Sequence, residues 1–153
     1  VIYRKAGNAK AWTKIATVKT LSYADRQVKS GVKYTYAVKA SGDYAISSYK
    51  AKALYRVDGQ DINYYCSPEK ARIEVMVNKD KAATGYQVQY ARSRAFKATK
   101  TVTFVGAKKN TLTVKTAGAG TKYYVRVRSY KKVGNTVYYG AWSSGESIVT
   151  EKY

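Results

Sequence analysis

The sequence predicts an all-β fold, and three observations support that prediction. With 17 Tyr, a single Pro and many Val and Thr residues, the composition is typical of half-buried pleated surfaces. The segment GTKYYVRVRSY at residues 120–130 alternates from Tyr123 onward, which places one set of side chains toward a core and the other toward water. A shorter version, GVKYTYAVKA at residues 31–40, has Gly, Lys, Tyr and Val at matching positions. The chain is therefore predicted to be a tandem repeat.

The first half of the chain is predicted to contain five short strands. Residues 1–5 and 12–18 are expected to form a hairpin around the turn-prone segment AGNAK at residues 6–10. A short strand is predicted at 21–25, and the repeated strand covers 34–40. Gly42 and Asp43 mark a turn, after which residues 48–55 alternate Lys with apolar residues and end the unit.

The second half is predicted to contain a longer series of strands. They are expected at residues 62–66, 71–78, 85–90, 101–105, 111–114, 120–130 and 147–150, with a long hairpin through 131–142 before the last. The polar segment DGQD at residues 58–61 is the best boundary. The predicted organisation is a first domain at 1–57, a short linker at 58–61 and a second domain at 62–153. No helix of any length is expected.

The charge of the chain predicts a basic surface. The sequence has 29 Lys and Arg residues against 9 Asp and Glu residues, a formal net charge of +20, and the basic residues are spread singly along the strands. Such a field attracts polyanions, and charge alone does not choose among nucleic acid, anionic cell-wall polymer, sulfated glycan and acidic lipid. A simpler interpretation is that the charge only keeps the protein soluble. No apolar run approaches the length of a membrane span.

Composition argues against the commonest catalytic and metal chemistry. The sequence has no His and one Cys, Cys66, so Ser-His and Cys-His nucleophile pairs and the usual zinc ligands are excluded. Asp58 and Asp61 supply too few oxygens for the six to eight that calcium takes. A non-enzymatic protein with no cofactor and no metal is therefore expected.

Several segments together resemble the fibronectin type III modules found in tandem on exported proteins of Gram-positive bacteria. In the second domain they are ATGYQVQY at 83–90, TKYYVRVR at 121–128 and YYGAWS at 138–143. In the first domain they are VIYRK at 1–5 and VKSGVKY at 28–34. The resemblance implies tandem β-sandwiches and an extracellular setting at the cell surface or in the cell wall.

The resemblance also implies structural roles for particular residues. Tyr34 and Tyr123 hold the place of the family's tyrosine corner, where the Tyr hydroxyl bonds to upstream backbone. Ala117 stands where the family has a larger apolar residue, and Val77 stands where it has a tryptophan. The core of the second domain is therefore expected to be filled in another way, for example by Trp142 or by neighbours of Met76.

The first domain begins at the equivalent of the family's third strand, so its two N-terminal strands are expected to be missing. An inner face built from Ile2, Tyr34, Tyr36 and Val38 would then be covered by little more than residues 21–23. A longer parent chain could supply the missing strands. Alternatively, another copy could donate strands and make the protein a filament subunit. The first explanation is the simpler one and is preferred.

A candidate ligand-binding face is predicted on the outer side of the second domain. Aromatic rings beside guanidinium groups can stack on sugars and pair with phosphates or sulfates. The predicted residues are Gln87, Gln89, Tyr124, Arg126, Arg128, Tyr130, Tyr138 and Tyr139. The competing interpretation is that Tyr and Arg are simply good cross-strand neighbours on an exposed sheet.

The predicted function is that of a non-catalytic spacer or adhesion module of a bacterial surface or wall-associated protein. Its expected partners are an anionic cell-wall polymer or polysaccharide and the other domains of a longer chain. The alternative is a module that binds nucleic acid or sulfated glycan through the same basic face.

Overall fold

The structure is a computed structural model, and it describes residues 1–40, 53–116 and 118–153. Within these ranges it contains twelve β-strands and no helix, as the sequence predicted. Because these residues contain no helix, none of them forms a membrane-spanning helix. The predicted turn at Gly42 and Asp43, the first five residues of the strand predicted at 48–55, and Ala117 lie outside the described residues.

The chain divides into two compact units, Val1–Arg56 and Val57–Tyr153, called unit 1 and unit 2 below. Unit 1 contains one antiparallel sheet with the strand order β2-β1-β3-β4. Its strands are β1 (Ile2–Ala6), β2 (Thr13–Ala16), β3 (Lys33–Val38) and β4 (Ala53–Tyr55). The predicted hairpin of the first two strands is confirmed, because β1 pairs with β2.

A polar cluster covers part of one face of the unit 1 sheet. The Arg4 guanidinium lies 5.4 Å above the centroid of the Tyr34 ring, and its Nη1 is 2.8 Å from Asp25 Oδ2. The Tyr36 hydroxyl donates to the same carboxylate oxygen at 3.0 Å. The side chain of Asp25 is only 7% exposed. The segment between β2 and β3 is therefore attached to the sheet by charged and polar contacts.

The prediction of a strand at residues 21–25 is wrong. The structure has no strand between β2 and β3, and Leu21 is fully exposed. In unit 2 the strand β9 (Thr111–Lys115) forms a ladder with β6 (Arg72–Val77). No described strand of unit 1 pairs with residues 21–25, whatever their own alternation.

Unit 2 is built from two antiparallel sheets. The smaller has the order β5-β6-β9, and the larger has the order β11-β10-β7-β8, with β12 also paired to β10. The remaining strands are β5 (Ile62–Cys66), β7 (Gly85–Ala91), β8 (Lys100–Val105), β10 (Lys122–Val133), β11 (Thr136–Tyr139) and β12 (Glu146–Val149). These positions agree closely with the strands predicted from alternation.

The core of unit 2 lies between its two sheets. Tyr86, Val125 and Val127 are completely buried, and Val77 is 2% exposed. The other buried members of this cluster are Ile73, Val75, Val88, Tyr90, Leu112, Val114 and Tyr123. The suggestion that Trp142 fills the core is wrong, because Trp142 packs against two arginines on the outer face. Three inward-facing tyrosines supply the aromatic volume instead.

Residues of the predicted linker at 58–61 make contacts with unit 2. Of these four residues Gln60 is 8% exposed, as is Val57 immediately before them. The carbonyl oxygen of Asp58 accepts a hydrogen bond from the hydroxyl of Ser129, a completely buried residue of β10. This contact satisfies a buried hydroxyl and anchors the start of unit 2 to its longest strand.

Candidate polyanion-binding face

The outer face of the larger sheet carries two parallel side-chain rows that cross three strands. Arg126 lies opposite Gln89, and both its Nε and its Nη2 donate to Gln89 Oε1, at 2.9 and 2.6 Å. Arg128 makes the same two bonds to Gln87 Oε1, at 2.9 and 2.8 Å. On β8, the hydroxyl of Thr101 accepts a hydrogen bond from the Gln89 amide and that of Thr103 accepts one from the Gln87 amide, each at 3.0 Å. Each arginine is therefore held at one edge by an ordered row.

Three aromatic rings alternate with these two guanidinium groups and complete what we call the stack. Its order is Phe96, Arg126, Trp142, Arg128, Tyr139. The Arg126 Cζ lies 4.1 Å from the centroid of Phe96 and 4.9 Å from that of Trp142. The Arg128 Cζ lies 4.2 Å from Trp142 and 3.7 Å from Tyr139. Each guanidinium group thus lies close to two aromatic rings, an arrangement stabilised by cation–π attraction.

Trp142 reaches the stack because the chain after β11 runs beside the middle of β10. The Ser143 amide donates to the Val127 carbonyl at 2.8 Å, and the Val127 amide donates to Ser143 Oγ at 3.0 Å. These bonds fill the gap between the part of β10 that pairs with β11 and the part that pairs with β12. The indole is thereby fixed over the two arginines.

Phe96 reaches the stack through an unusual backbone conformation in the loop between β7 and β8. Its φ is 51°, a value that bulky L-residues rarely adopt. A Cβ on Gly145 would lie 2.7 Å from Cε2 of the Phe96 ring. The glycine leaves the space that the ring needs beside Arg126.

The positive charge of the stack is not neutralised within the described part of the chain. No ion pair there involves Arg126 or Arg128. Burial lowers the pKa of Arg128; the nearby Tyr139 opposes this, and the Arg126 charge adds a smaller lowering. A guanidinium remains protonated at any physiological pH. Arg94 and Lys97, both exposed, lie on the Phe96 loop and add to the positive field.

The structure brings together five of the predicted site residues and separates the rest from them. Gln87, Gln89, Arg126, Arg128 and Tyr139 form one continuous group through the bonds and ring contacts described above. Tyr124 is on the same face but packs near Lys122, whose Nζ is 5.6 Å from its ring centroid. Tyr138 is half-buried, and strand alternation places it on the face opposite Tyr139.

The prediction that Tyr130 is exposed on this face is wrong, because it is only 6% exposed. Tyr130 pairs with Gly85 across the sheet, and its ring lies over the glycine, 3.0 Å from where a Cβ would be. The missing side chain of Gly85 therefore creates the depression that buries Tyr130.

Sequence reasoning missed Phe96 and placed Trp142 in the wrong environment. The available signal was the pair of arginines two residues apart on one strand face, followed by a tryptophan where the neighbouring chain segment returns. Phe96 had no signal, since its position depends on a loop conformation and on the space at Gly145.

Buried tyrosines connect strands to loops in both units. The Tyr34 hydroxyl accepts a hydrogen bond from the Lys29 amide at 2.9 Å, five residues upstream. Tyr123 is 4% exposed, and its ring meets that of Tyr90 edge-on at 5.8 Å. Tyr86, whose role the sequence did not indicate, accepts from the Asp80 amide at 2.7 Å and donates to the Ala107 carbonyl at 2.9 Å.

No metal centre is evident in the described residues, which contain no group of three or more His, Cys, Asp or Glu side chains suited to an ion. Cys66 is a half-buried, unbridged residue of β5. The chemistry available on the outer face is therefore that of charged and aromatic contact surfaces.

The fold is similar to fibronectin type III domains of known structure. The solution structure of the fn3 domain of human contactin 1 matches with a TM-score of 0.55 and 15% identity, over 75% of this chain and 95% of that chain. The crystal structure of the chicken CNTN1 FN1-FN3 domains matches with a TM-score of 0.51 and 19% identity, over 99% of this chain and 53% of that chain. This chain thus spans about half the length of the chicken structure. No family model and no curated protein matches the sequence. At these identities the likeness establishes a fibronectin type III-like fold, which confirms that part of the predicted fold class.

Proposed function

We propose that this chain is a non-catalytic extracellular module, a spacer or adhesion unit of a bacterial surface or cell-wall-associated protein, and that its stack contacts anionic polymers. The observation that carries the proposal is the pair Arg126 and Arg128, rigidly held and without an ion pair in the described residues. A fibronectin type III-like fold by itself implies no activity. The contact surface therefore has to supply the function.

Retention of the whole chain on an immobilised anionic polymer in rising salt tests this proposal. Removing both charges with Arg126→Ala and Arg128→Ala should lower the salt needed for elution and reduce the salt slope of binding by about 2. The matched control is Arg72→Ala with Lys115→Ala, which removes two charges from paired positions on the smaller sheet. Equal losses in the two double variants would show that net charge alone drives retention and would remove the stack from consideration.

The alternative function is a binder of nucleic acid or sulfated glycan through the same face. A panel of polyanions at physiological salt separates the two, because a specific binder retains one ligand while a charged spacer loses all of them alike. Each variant is first checked for an unchanged unfolding transition, so that a folding defect is not mistaken for a binding defect.

We also propose that the two units are tandem copies of one sandwich and that unit 1 lacks its first two strands. The proposal is supported by matching strand orders: β2-β1-β3-β4 in unit 1 corresponds to β8-β7-β10-β11 in unit 2. A groove of about 600 Å³ lies beside the inner face of the unit 1 sheet, lined by Ile2, Leu21, Tyr36, Val38 and Leu54 among others. Val38 and Leu54 are 48% and 46% exposed. In unit 2 the equivalent face is covered by β5, β6 and β9.

Two sources could supply the strands that cover this groove, a longer parent chain or a second copy of this one. Residues 1–57 alone are expected not to unfold cooperatively, and adding an upstream segment is expected to restore a transition. Sedimentation of the intact chain over a range of concentrations distinguishes the second source, because strand donation between copies requires association. A sharp transition from the isolated monomeric fragment would contradict the assignment of unit 1.

A further inference from the structure

We infer that the stack is a two-anion site for a linear phosphodiester polymer without aromatic bases, and this inference rests on the polyanion contact proposed above. Each guanidinium has five N–H donors, of which the Nε–H and one Nη2–H are bonded to glutamine. The other three donors on each of Arg126 and Arg128 have no hydrogen-bond partner among the described residues. Two aromatic rings lie close to each guanidinium carbon, so the edge of each group, where these donors point, is the direction from which we expect a ligand to approach.

An oxyanion that approaches the edge of a guanidinium group can accept two parallel N–H···O hydrogen bonds from it. Phosphate matches the fork of a guanidinium in geometry and charge, and a bidentate contact needs a fixed arginine plane. The hydrogen bonds to glutamine and the ring contacts of the stack hold both guanidinium planes in place before any ligand binds. The side-chain ordering that binding normally requires is therefore largely complete in the free protein.

The distance between the two arginines sets the spacing of the anions that the site can bind together. Arg126 and Arg128 lie on one face of the same strand, so successive anions would bind about 7 Å apart along β10. Once the first anion of a chain is bound, the second binds within the same molecule at a high effective concentration. A polymer whose charges can reach this separation should bind more tightly than single anions do.

The indole at the centre of the stack argues against nucleic acid as the preferred ligand. Proteins that bind single strands stack bases on open aromatic faces. Trp142 is already in contact with both guanidinium groups, since the Cζ atoms of Arg126 and Arg128 lie 4.9 and 4.2 Å from its centroid. Stacking of a base or a sugar on this ring, a use that the sequence had suggested for the aromatic residues, would have to displace an arginine. Phe96 and Tyr139, at the ends of the stack, each contact one guanidinium only, so the site favours recognition of phosphate groups on a polymer with small linkers over stacking of successive bases.

Titration calorimetry with the intact chain tests the spacing. The probes are inorganic phosphate and a series of linear alkane bisphosphates of increasing length. An intermediate length is expected to bind about tenfold more tightly than inorganic phosphate or the shortest and longest members. The variants Arg126→Lys and Arg128→Lys keep the charge but lose the fork, and each should abolish the length optimum. The Arg72→Lys change, on the other sheet, should leave it intact.

Two polymer probes test the ligand class. Poly(glycerol phosphate) is expected to bind about tenfold more tightly than oligothymidylate with the same number of phosphates. Affinity that does not depend on bisphosphate length would overturn the two-anion site, and equal or tighter binding of oligothymidylate would overturn the exclusion of bases. If retention on anionic polymer still depends on the arginine pair in either case, the proposed function survives and only the present inference fails. If retention is independent of the pair, both fail.

Discussion

Replacing Tyr86 by Phe is expected to destabilise unit 2 by about 2 kcal/mol. The hydroxyl of this completely buried residue accepts from the Asp80 amide at 2.7 Å and donates to the Ala107 carbonyl at 2.9 Å. A neutral hydrogen bond contributes about 1 kcal/mol net, and a donor left buried without a partner costs about 1–3 kcal/mol. Phe fills the same ring volume, so no cavity adds to the loss. The change therefore isolates the bonds that join two loops to β7.

Urea unfolding followed by tryptophan fluorescence measures this loss. Trp12 lies in unit 1 and Trp142 in unit 2, and they are the only two tryptophans. A Trp12→Phe background makes the remaining signal specific to unit 2. The matched control is Tyr65→Phe, which removes the hydroxyl of a 37% exposed tyrosine on β5 and should change the free energy of unfolding by less than about 0.5 kcal/mol. Equal effects of the two substitutions would refute the reasoning.

Three further predictions concern other contacts. Burial and, next, the hydrogen bond to Asp25 raise the pKa of Tyr36 to about 12. The unfolded chain should therefore ionise first, so that unit 1 loses stability as the pH rises from about 10 to 12, and Tyr36→Phe should remove one late step from the phenolate absorbance titration. Burial raises the pKa of Asp25, but the bonds from Arg4 and other groups outweigh it and leave the pKa below its ordinary value of 3.8. Stability from this carboxylate is present above that value and lost as the pH falls through the lowered one, and Asp25→Asn should flatten the acid limb of the stability curve. Gly85→Ala should cost unit 2 about 1–3 kcal/mol in urea unfolding, because the new methyl group would collide with the Phe104 carbonyl; an unchanged midpoint would contradict this.

Alternation along single strands was sufficient to predict most of the fold. The position of β7 and the inward positions of Val125 and Val127 follow from local pattern, because a strand with one dry face must repeat every two residues. Residues 21–25 alternate too, yet they form no strand, since pairing depends on a neighbour that the pattern of one segment does not specify. Strand prediction failed here because alternation describes one segment and not the strand with which it would pair.

The candidate site was predictable only in part, for a similar reason. Arg126 and Arg128 could be placed on one face with Gln87 and Gln89, because these residues lie on strands. Trp142 could not, since its position depends on a backbone segment that bonds to β10 between two strands. The burial of Tyr130 was not predicted, because it depends on which residue of β7 lies opposite, and the sequence alone left that register open.

The division of one edge of β10 between two partners has a consequence for the order of folding. Its pairs with β11 join residues separated by 3 positions at Val133 and Thr136 and by 9 at Tyr130 and Tyr139, whereas its pairs with β12 join residues 21 to 27 positions apart. Short loops close at a smaller entropic cost, and a hairpin forms in about 1–10 μs. The β10–β11 hairpin should therefore form first and place Trp142 beside the arginines, so that the strand zips toward β12. Pulse-labelled amide exchange would detect this as earlier protection of β11 than of β12, and the opposite order would exclude zipping from the hairpin.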